Sequence, residues 1–256
     1  MQPQVEVLTP PQLPDAPSIT CYRCRVEDFT LDDLIFIDVD EVSSFATDKR
    51  RKEHLSGRWL LEYALIQWGI KSVDEIEVRR NELRAPSLAF INGVWRNEAL
   101  PSISIGHGNG WAYVAIIESN WTIGIDAEPR NRGIANNALD LMASGDELQH
   151  IRQNPEIAIR FWTAKESVQK AMRMGMKLNP REIKIPIGKQ ICDISIEKST
   201  LQLRNWVHEE VHISLSWMTG EGQIRSAEDD LLDATREALE SGQEWQVGCN
   251  TTRKNS

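Results

Sequence analysis

The chain has 256 residues, of which 41% are hydrophobic and 26% are charged, with a formal net charge of −9. This length suffices for one large domain or two small ones, and either can bury a substantial core. The acidic balance argues against general binding of nucleic acid, which needs a broad basic surface, and no apolar run approaches the length of a membrane span.

The first 18 residues are polar and contain five of the 11 prolines. They predict an extended amino-terminal arm, and because they contain no apolar signal-peptide core, we expect a cytoplasmic protein. A strand is predicted over residues 19–26. It contains Cys21 and Cys24, which we interpret as ordinary strand positions, since a zinc or redox site usually needs further ligands at regular spacing.

A long helix is predicted over residues 46–68, because apolar side chains recur there at steps of three and four residues. Its first turns carry a basic cluster at residues 49–52, and Gly69 provides a natural stop. Short strands are predicted to follow at residues 75–80 and 88–91.

A glycine-rich loop is predicted at residues 106–110, around His107. Glycine-rich backbone lets N–H groups approach a phosphate closely. Residues 111–118 are apolar with strong alternation and predict a strand. The turn after it is short, so we expect an antiparallel hairpin with the next strand, at residues 121–126.

Two carboxylates stand at the end of that next strand. Residues two apart in an extended chain point to the same face, so Asp126 and Glu128 should project side by side. Two like charges this close are costly unless a cation or a proton lies between them. A hard cation such as Mg²⁺, which takes carboxylate oxygens and keeps room for phosphate, is the common solution.

A second long helix is predicted over residues 156–174, where good helix formers dominate. Glu166 and Lys170 are spaced i, i+4, so they lie one turn apart on one face and could supply a carboxylate and an ammonium group to one site. The remaining predicted elements are short helices at 136–142 and 146–152, strands at 183–187, 201–207 and 211–217, and an amphipathic helix at 226–239.

The chain resembles the 4′-phosphopantetheinyl transferases, in particular the large single-chain surfactin-synthetase type. Two paired stretches carry this resemblance, Gly124–Glu128 (GIDAE) and Phe161–Lys170 (FWTAKESVQK). The segment around His107 resembles a third motif of the family, which usually has Ser where this chain has Gly106 and Gly108. The basic first helix resembles a fourth motif, and the likeness extends over roughly residues 30–217.

The resemblance implies an α+β fold of two similar lobes related by a pseudo-twofold axis, with the active site between the lobes. The expected parts are an extended arm at residues 1–18, an amino-terminal lobe at 19–110, a carboxy-terminal lobe with the metal and catalytic motifs at 111–225, and a helix and tail at 226–256. A two-lobe chain of this length favours a monomer.

The implied reaction is that of a holo-[acyl-carrier-protein] synthase. It transfers 4′-phosphopantetheine from coenzyme A to a serine of an apo acyl, polyketide or peptidyl carrier protein and releases 3′,5′-ADP. The resemblance implies Mg²⁺, with Mn²⁺ as an alternative, bound by Asp126, Glu128 and Glu166. It also implies that Glu166 accepts the serine proton and that Lys170 neutralises the leaving phosphate. The implied coenzyme-binding residues are Lys49, Arg51, Arg84, His107, Asp126 and Lys170.

The expected partner is a carrier protein that is acidic around its serine. Basic residues that follow the second long helix would steer such a partner toward the site through their opposite charge. These residues are Arg173, Lys177 and Arg181.

Two other functions stay open at the level of the sequence. A protein that binds carrier proteins or coenzyme A without turnover would also fit the altered glycine segment. A metal-dependent nuclease can likewise use Asp, Glu and Lys, but there the Glu and Lys normally lie two apart on a strand. Here Glu166 and Lys170 are four apart on a predicted helix, and the acidic chain lacks a basic surface the size of DNA.

Overall fold

The computed structural model describes residues 3–94, 96 and 98–220, and within them it is a mixed α+β fold with several sheets. The predicted helix over 226–239 and the tail lie outside the described residues. The strands are β1 (Val5–Leu8), β2 (Ile19–Arg25), β3 (Ile76–Arg80), β4 (Pro86–Phe90), β5 (Ser102–Gly108), β6 (Trp111–Ile117), β7 (Trp121–Pro129), β8 (Ile191–Ile196), β9 (Ser199–His208) and β10 (Val211–Thr219). The α-helices are α1 (Val39–Ser43), α2 (Asp48–Trp68), α3 (Asn136–Met142), α4 (Gly145–Gln153) and α5 (Ala158–Ala171).

Two four-stranded antiparallel sheets form the centre of the fold. The first has the strand order β1-β2-β6-β5 and the second has the order β7-β10-β9-β8, while β3 and β4 pair separately. The predicted hairpin over residues 201–207 and 211–217 is confirmed by β9 and β10.

The two sheets pack face to face, and one long helix covers the outer face of each. Buried side chains such as Tyr113 of β6 and Trp217 of β10 fill the space between the sheets. Leu61 of α2 belongs to the core on the far side of the first sheet. Phe161 of α5 belongs to the core on the far side of the second sheet. The resulting layers are helix, sheet, sheet and helix, which is a standard way to bury an apolar face of each element.

The two predicted long helices are both present. Thr47 caps α2 by accepting a hydrogen bond from the Arg50 amide, and Gly69 ends it in the left-handed conformation with φ 105°, as predicted. The second helix, α5, is shorter than the predicted span of 156–174 and begins after a 3₁₀ turn at Pro155–Ile157. None of the described helices is both long enough and apolar enough to cross a bilayer.

The predicted hairpin between residues 111–118 and the following strand is wrong. β6 pairs with β2 and β5, whereas β7 pairs with β10. All seven residues of β6 are buried, as expected of a central strand with both faces covered. The short turn between the strands therefore carries the chain from one sheet to the other. The lobe boundary that was expected between residues 110 and 111 would separate β6 from β2 and β5, to which it is hydrogen-bonded.

The predicted glycine-rich loop at 106–110 is also wrong. Gly106 and Gly108 lie within β5, and only Asn109 and Gly110 form the turn, with φ values of 52° and 74°. Such a pair of positive φ values is typical of a tight two-residue hairpin turn. A Cβ atom on Gly108 would lie 2.0 Å from the carbonyl oxygen of Ala127. The glycine is needed because β5 contacts the backbone of β7 directly.

Gly124 allows a similar contact between β7 and α5. A Cβ atom at Gly124 would lie 2.0 Å from the carbonyl oxygen of Ser167 and 2.6 Å from the amide nitrogen of Ala171. Nearby, the Ser167 hydroxyl is hydrogen-bonded to the Ser216 hydroxyl of β10 at 2.7 Å. α5 therefore packs directly on the backbone of β7. This contact brings Glu166 and Lys170 close to the two carboxylates of β7.

The alternation at residues 183–187 does not form a strand. Ile183 and Ile185 are buried in the core beside α5, whereas Ile187 is exposed. Cys21 and Cys24 behave as ordinary strand positions of β2, as predicted. Both are buried free thiols, and they belong to cores on opposite faces of the first sheet.

Gly124→Ala should destabilise the fold by about 1–3 kcal/mol, because the new methyl group would overlap the backbone of α5. Urea unfolding measures this change. Gly133→Ala is the matched control, since a Cβ atom there has nothing within 4 Å, and its unfolding free energy should stay within about 0.5 kcal/mol of the wild type. Equal stability of the two variants would contradict a backbone contact between helix and strand.

Candidate active site

A cavity of about 400 Å³ lies where α2, β5, β7 and α5 meet. It brings together six of the residues predicted to form the site, namely Arg84, His107, Asp126, Glu128, Glu166 and Lys170. Four further basic residues line it, namely Arg50, Arg58, Arg80 and Arg173. The cavity therefore joins an acidic group from one half of the chain to a basic group that comes mainly from the other half.

The three carboxylates come from two elements in contact. Asp126 and Glu128 project from the same face of β7, as predicted, and that face is covered by α5, which carries Glu166. Asp126 is only 4% exposed, and its Oδ2 atom is buried without a hydrogen-bond partner. Burial, followed by the charge of Asp126, raises the pKa of Glu166 to about 7. These effects mark a crowded set of acidic oxygens with unsatisfied acceptor capacity.

Two cations already engage this acidic group. The Lys170 ammonium donates to Asp126 Oδ1 at 2.8 Å and to the Ile125 carbonyl at 2.9 Å. Arg132 pairs with Glu128, and it opposes the rise in the pKa of Glu128 that burial causes. Lys170 thus lies beside the carboxylates, as its one-turn spacing from Glu166 predicted.

The donor chemistry of this group suits a hard divalent cation. All the donors are carboxylate oxygens, and Asp126 Oδ2 lacks a partner. Among the described residues, however, no three Asp, Glu, His or Cys side chains converge closely enough to hold a metal as they stand. Lys170 and Arg132 each pair with one oxygen of one carboxylate, Asp126 and Glu128 respectively, so the other oxygens of the group are not engaged by these two cations.

The basic wall of the cavity, formed by Arg50, Arg58, Arg80, Arg84 and Arg173, differs from the predicted set. Lys49 and Arg51, predicted from the cluster at the start of α2, do not line the cavity. Lys49 is 85% exposed, and Arg51 pairs with Asp28 at 2.6 Å. The helix turns these two side chains away from the cavity.

Arg50 and Arg58 line the cavity in their place, together with His54 between them. The three residues follow one another at steps of four, so they share one face of α2. This regular spacing is the signal that could have identified them, because a charge cluster alone does not reveal which face of a helix points inward.

His107 contacts the same helix through a glycine. A Cβ atom on Gly57 would lie 2.9 Å from His107 Nε2, so only glycine at this position leaves space for the ring. Burial, followed by the charges of Arg50 and Lys170, lowers the pKa of His107 to about 3. The ring is therefore neutral at physiological pH, and its Nε2 atom is buried without a hydrogen-bond partner.

Arg84 and Arg173 also line the cavity. Arg84 is 72% exposed and lies 3.4 Å from Glu41. Arg173 donates to the Pro86 carbonyl at 2.9 Å and is partly buried, which lowers its pKa. Arg173 therefore forms part of the cavity lining, and its role in steering a carrier protein stays a prediction.

Lys165 is adjacent to Glu166 but points into the core. Its ammonium group bonds Glu147 at 2.7 Å and the carbonyls of Pro180 and Ile183 at 2.9 and 2.6 Å. Glu147 also accepts a hydrogen bond from the Ile185 amide at 3.0 Å. This buried pair fixes the segment after α5 against the helix, and Lys165 does not line the cavity.

Lys165→Met should destabilise the protein by about 3–5 kcal/mol, because it leaves Glu147 buried without its cation. Arg152→Met is the control, since it breaks the half-exposed pair with Asp140, which should contribute at most about 1 kcal/mol. Urea unfolding of both variants measures the difference. A Lys165→Met variant as stable as the control would show that the buried pair contributes little.

Comparison with known proteins finds a family model that matches the part of the chain carrying the acidic residues of the cavity. Residues 122–217 match the family model of the 4′-phosphopantetheinyl transferase superfamily. The matched segment runs from β7 to β10 and contains the carboxylates of β7 together with Glu166 and Lys170 of α5. A search of curated proteins finds no match. The family match supports a transferase of the phosphopantetheinyl kind.

Proposed function

We propose that the chain is a large single-chain 4′-phosphopantetheinyl transferase of the surfactin-synthetase type. It would transfer 4′-phosphopantetheine from coenzyme A to a serine of an apo carrier protein in the cytoplasm and release 3′,5′-ADP. One observation carries this proposal: a single cavity joins the acidic residues and the lysine of the matched segment to arginines and a histidine from outside it. Coenzyme A, with its pyrophosphate and 3′-phosphate, is the kind of ligand that needs both groups.

The proposal includes two lobes related by a pseudo-twofold axis. Each lobe would consist of one four-stranded sheet and the long helix that covers it, α2 in the first and α5 in the second. We place the boundary in the turn at residues 118–120, where the chain changes sheets. The cavity would then lie between the lobes of a monomer, beside the contact of β5 with β7.

Asp126, Glu128 and Glu166 would hold Mg²⁺, or Mn²⁺ in its place, after their side chains have moved closer together. The metal ion, when bound, would neutralise charge on the pyrophosphate. The arginines of α2 and β3 would orient the coenzyme by pairing with its phosphates.

The chain's own residues would then carry the transfer. The serine oxygen of the carrier forms a bond to the phosphorus that bears the pantetheine arm, and the bond from that phosphorus to 3′,5′-ADP breaks. Glu166 would accept the serine proton. Lys170 would donate to the phosphate that leaves, where negative charge develops.

The direct test is the intact mass of an apo carrier protein co-expressed with this chain. The carrier should gain the mass of one phosphopantetheine, because the transfer is covalent. Asp126→Ala should abolish the gain by removing the most buried carboxylate of the cavity. Asp140→Ala, which changes an exposed acid of the matched segment, should leave the gain unchanged. Tight binding of carrier or coenzyme without any mass gain would favour a non-catalytic binding protein.

Arg58→Gln should weaken coenzyme A binding by roughly 10- to 100-fold, as expected for the loss of one charged hydrogen bond of about 1.5–3 kcal/mol. Calorimetry with coenzyme A measures this. Arg51→Gln is the matched control, because it removes the same charge from the same helix on a face outside the cavity. Equal weakening in both variants would mean that general positive charge, rather than the cavity wall, binds the coenzyme.

A further inference from the structure

Glu41 of the short helix α1 stands among the basic residues of the cavity wall. Its Oε1 atom lies 2.8 Å from Arg80 and 3.4 Å from Arg84. Its Oε2 atom lies 3.7 Å from Arg58 and 3.8 Å from His54. The Glu41 side chain is only 14% exposed, so this carboxylate is the nearest anion to four residues that line the cavity.

One carboxylate does not satisfy this group. Arg58 Nη1 and His54 Nε2 are both buried without a hydrogen-bond partner. Burial, followed by the charge of Arg80, lowers the pKa of Arg58 to about 10. Burial, followed by the charges of Arg58 and Arg80, lowers the pKa of His54 to about 3. The group therefore retains an unused donor at Arg58 Nη1, and three arginines share the single carboxylate of Glu41.

The helix that carries Glu41 is held less firmly than the elements that carry the basic residues. Of the five residues of α1, only Val42 is buried, and Val39 is 56% exposed. Arg58 belongs to α2, which has nine buried residues, and Arg80 belongs to the paired strand β3. A shift of α1 would disturb far less packing than a shift of the arginines.

We propose that Glu41 is a built-in counter-anion of this arginine site, and that a phosphate group of the substrate displaces it. This inference rests on the proposed function for the identity of the substrate. A phosphate has three acceptor oxygens, one more than a carboxylate, so it can pair with Arg80 while also reaching the free donor of Arg58. Glu41 consequently weakens the binding of phosphate ligands, and its return to the arginines favours release of 3′,5′-ADP.

The test compares wild type, Glu41→Gln and Asp40→Asn by calorimetry with inorganic pyrophosphate and with 3′,5′-ADP. Glu41→Gln should bind both probes at least about tenfold more tightly, because the competing charge is gone. Asp40→Asn removes the same charge from an exposed neighbour on the same helix, and its affinities should stay within about twofold of wild type.

Unchanged or weaker pyrophosphate binding by Glu41→Gln would overturn the inference, since Glu41 would then serve to orient the arginines. Glu41→Asp, which keeps the charge but withdraws it by one methylene group, gives a second measure and should fall between wild type and Glu41→Gln. If pyrophosphate binds more tightly to Glu41→Gln but 3′,5′-ADP binds to no variant, the counter-anion role is supported and the proposed transferase function fails.

Discussion

The architecture of the cavity depends on direct backbone contact at β7. Side chains normally set the distance between a strand and the elements that pack on its faces. Gly108 and Gly124 remove that spacing at two points. At the first point β5 reaches β7, and at the second α5 reaches it. Such close backbone contacts fix the positions of the side chains of the two elements relative to each other, as a polar site requires. The positions of His107 and Lys170 relative to Asp126 follow from these two contacts.

Local periodicity predicted the acidic half of the cavity well. The two-residue spacing of Asp126 and Glu128 and the four-residue spacing of Glu166 and Lys170 each describe one face of one element, and both faces point into the cavity. The basic half was predicted less well, because a run of charges around Arg51 covers every side of the helix. The close contact of Gly57 with His107 of the neighbouring strand shows which side of the helix faces the cavity.

Long-range pairing could not be predicted from the same patterns. An apolar strand looks alike whether its partner is the next strand in the chain or one far away, so the change of sheet between β6 and β7 left no local signal. The alternation at Ile183, Ile185 and Ile187 reflects two buried side chains in an irregular segment rather than a strand. Lys165 and Glu166 are adjacent in sequence but differ in role. Glu166 faces the cavity, whereas the Lys165 ammonium neutralises the buried Glu147 on the other side of the helix.

The change of sheet at residues 118–120 also orders the assembly of the protein during synthesis. All four strands of the first sheet lie within residues 5–117, so this sheet can form while the rest of the chain is still being made. β7 follows immediately, but its strand partner within the described residues is β10, where Ala127 stands opposite Ile213. A pairing across that separation forms late, because a long loop must close first. The strand that carries Asp126 and Glu128 can therefore form this pairing only after β10, near the end of the described chain, has been synthesised.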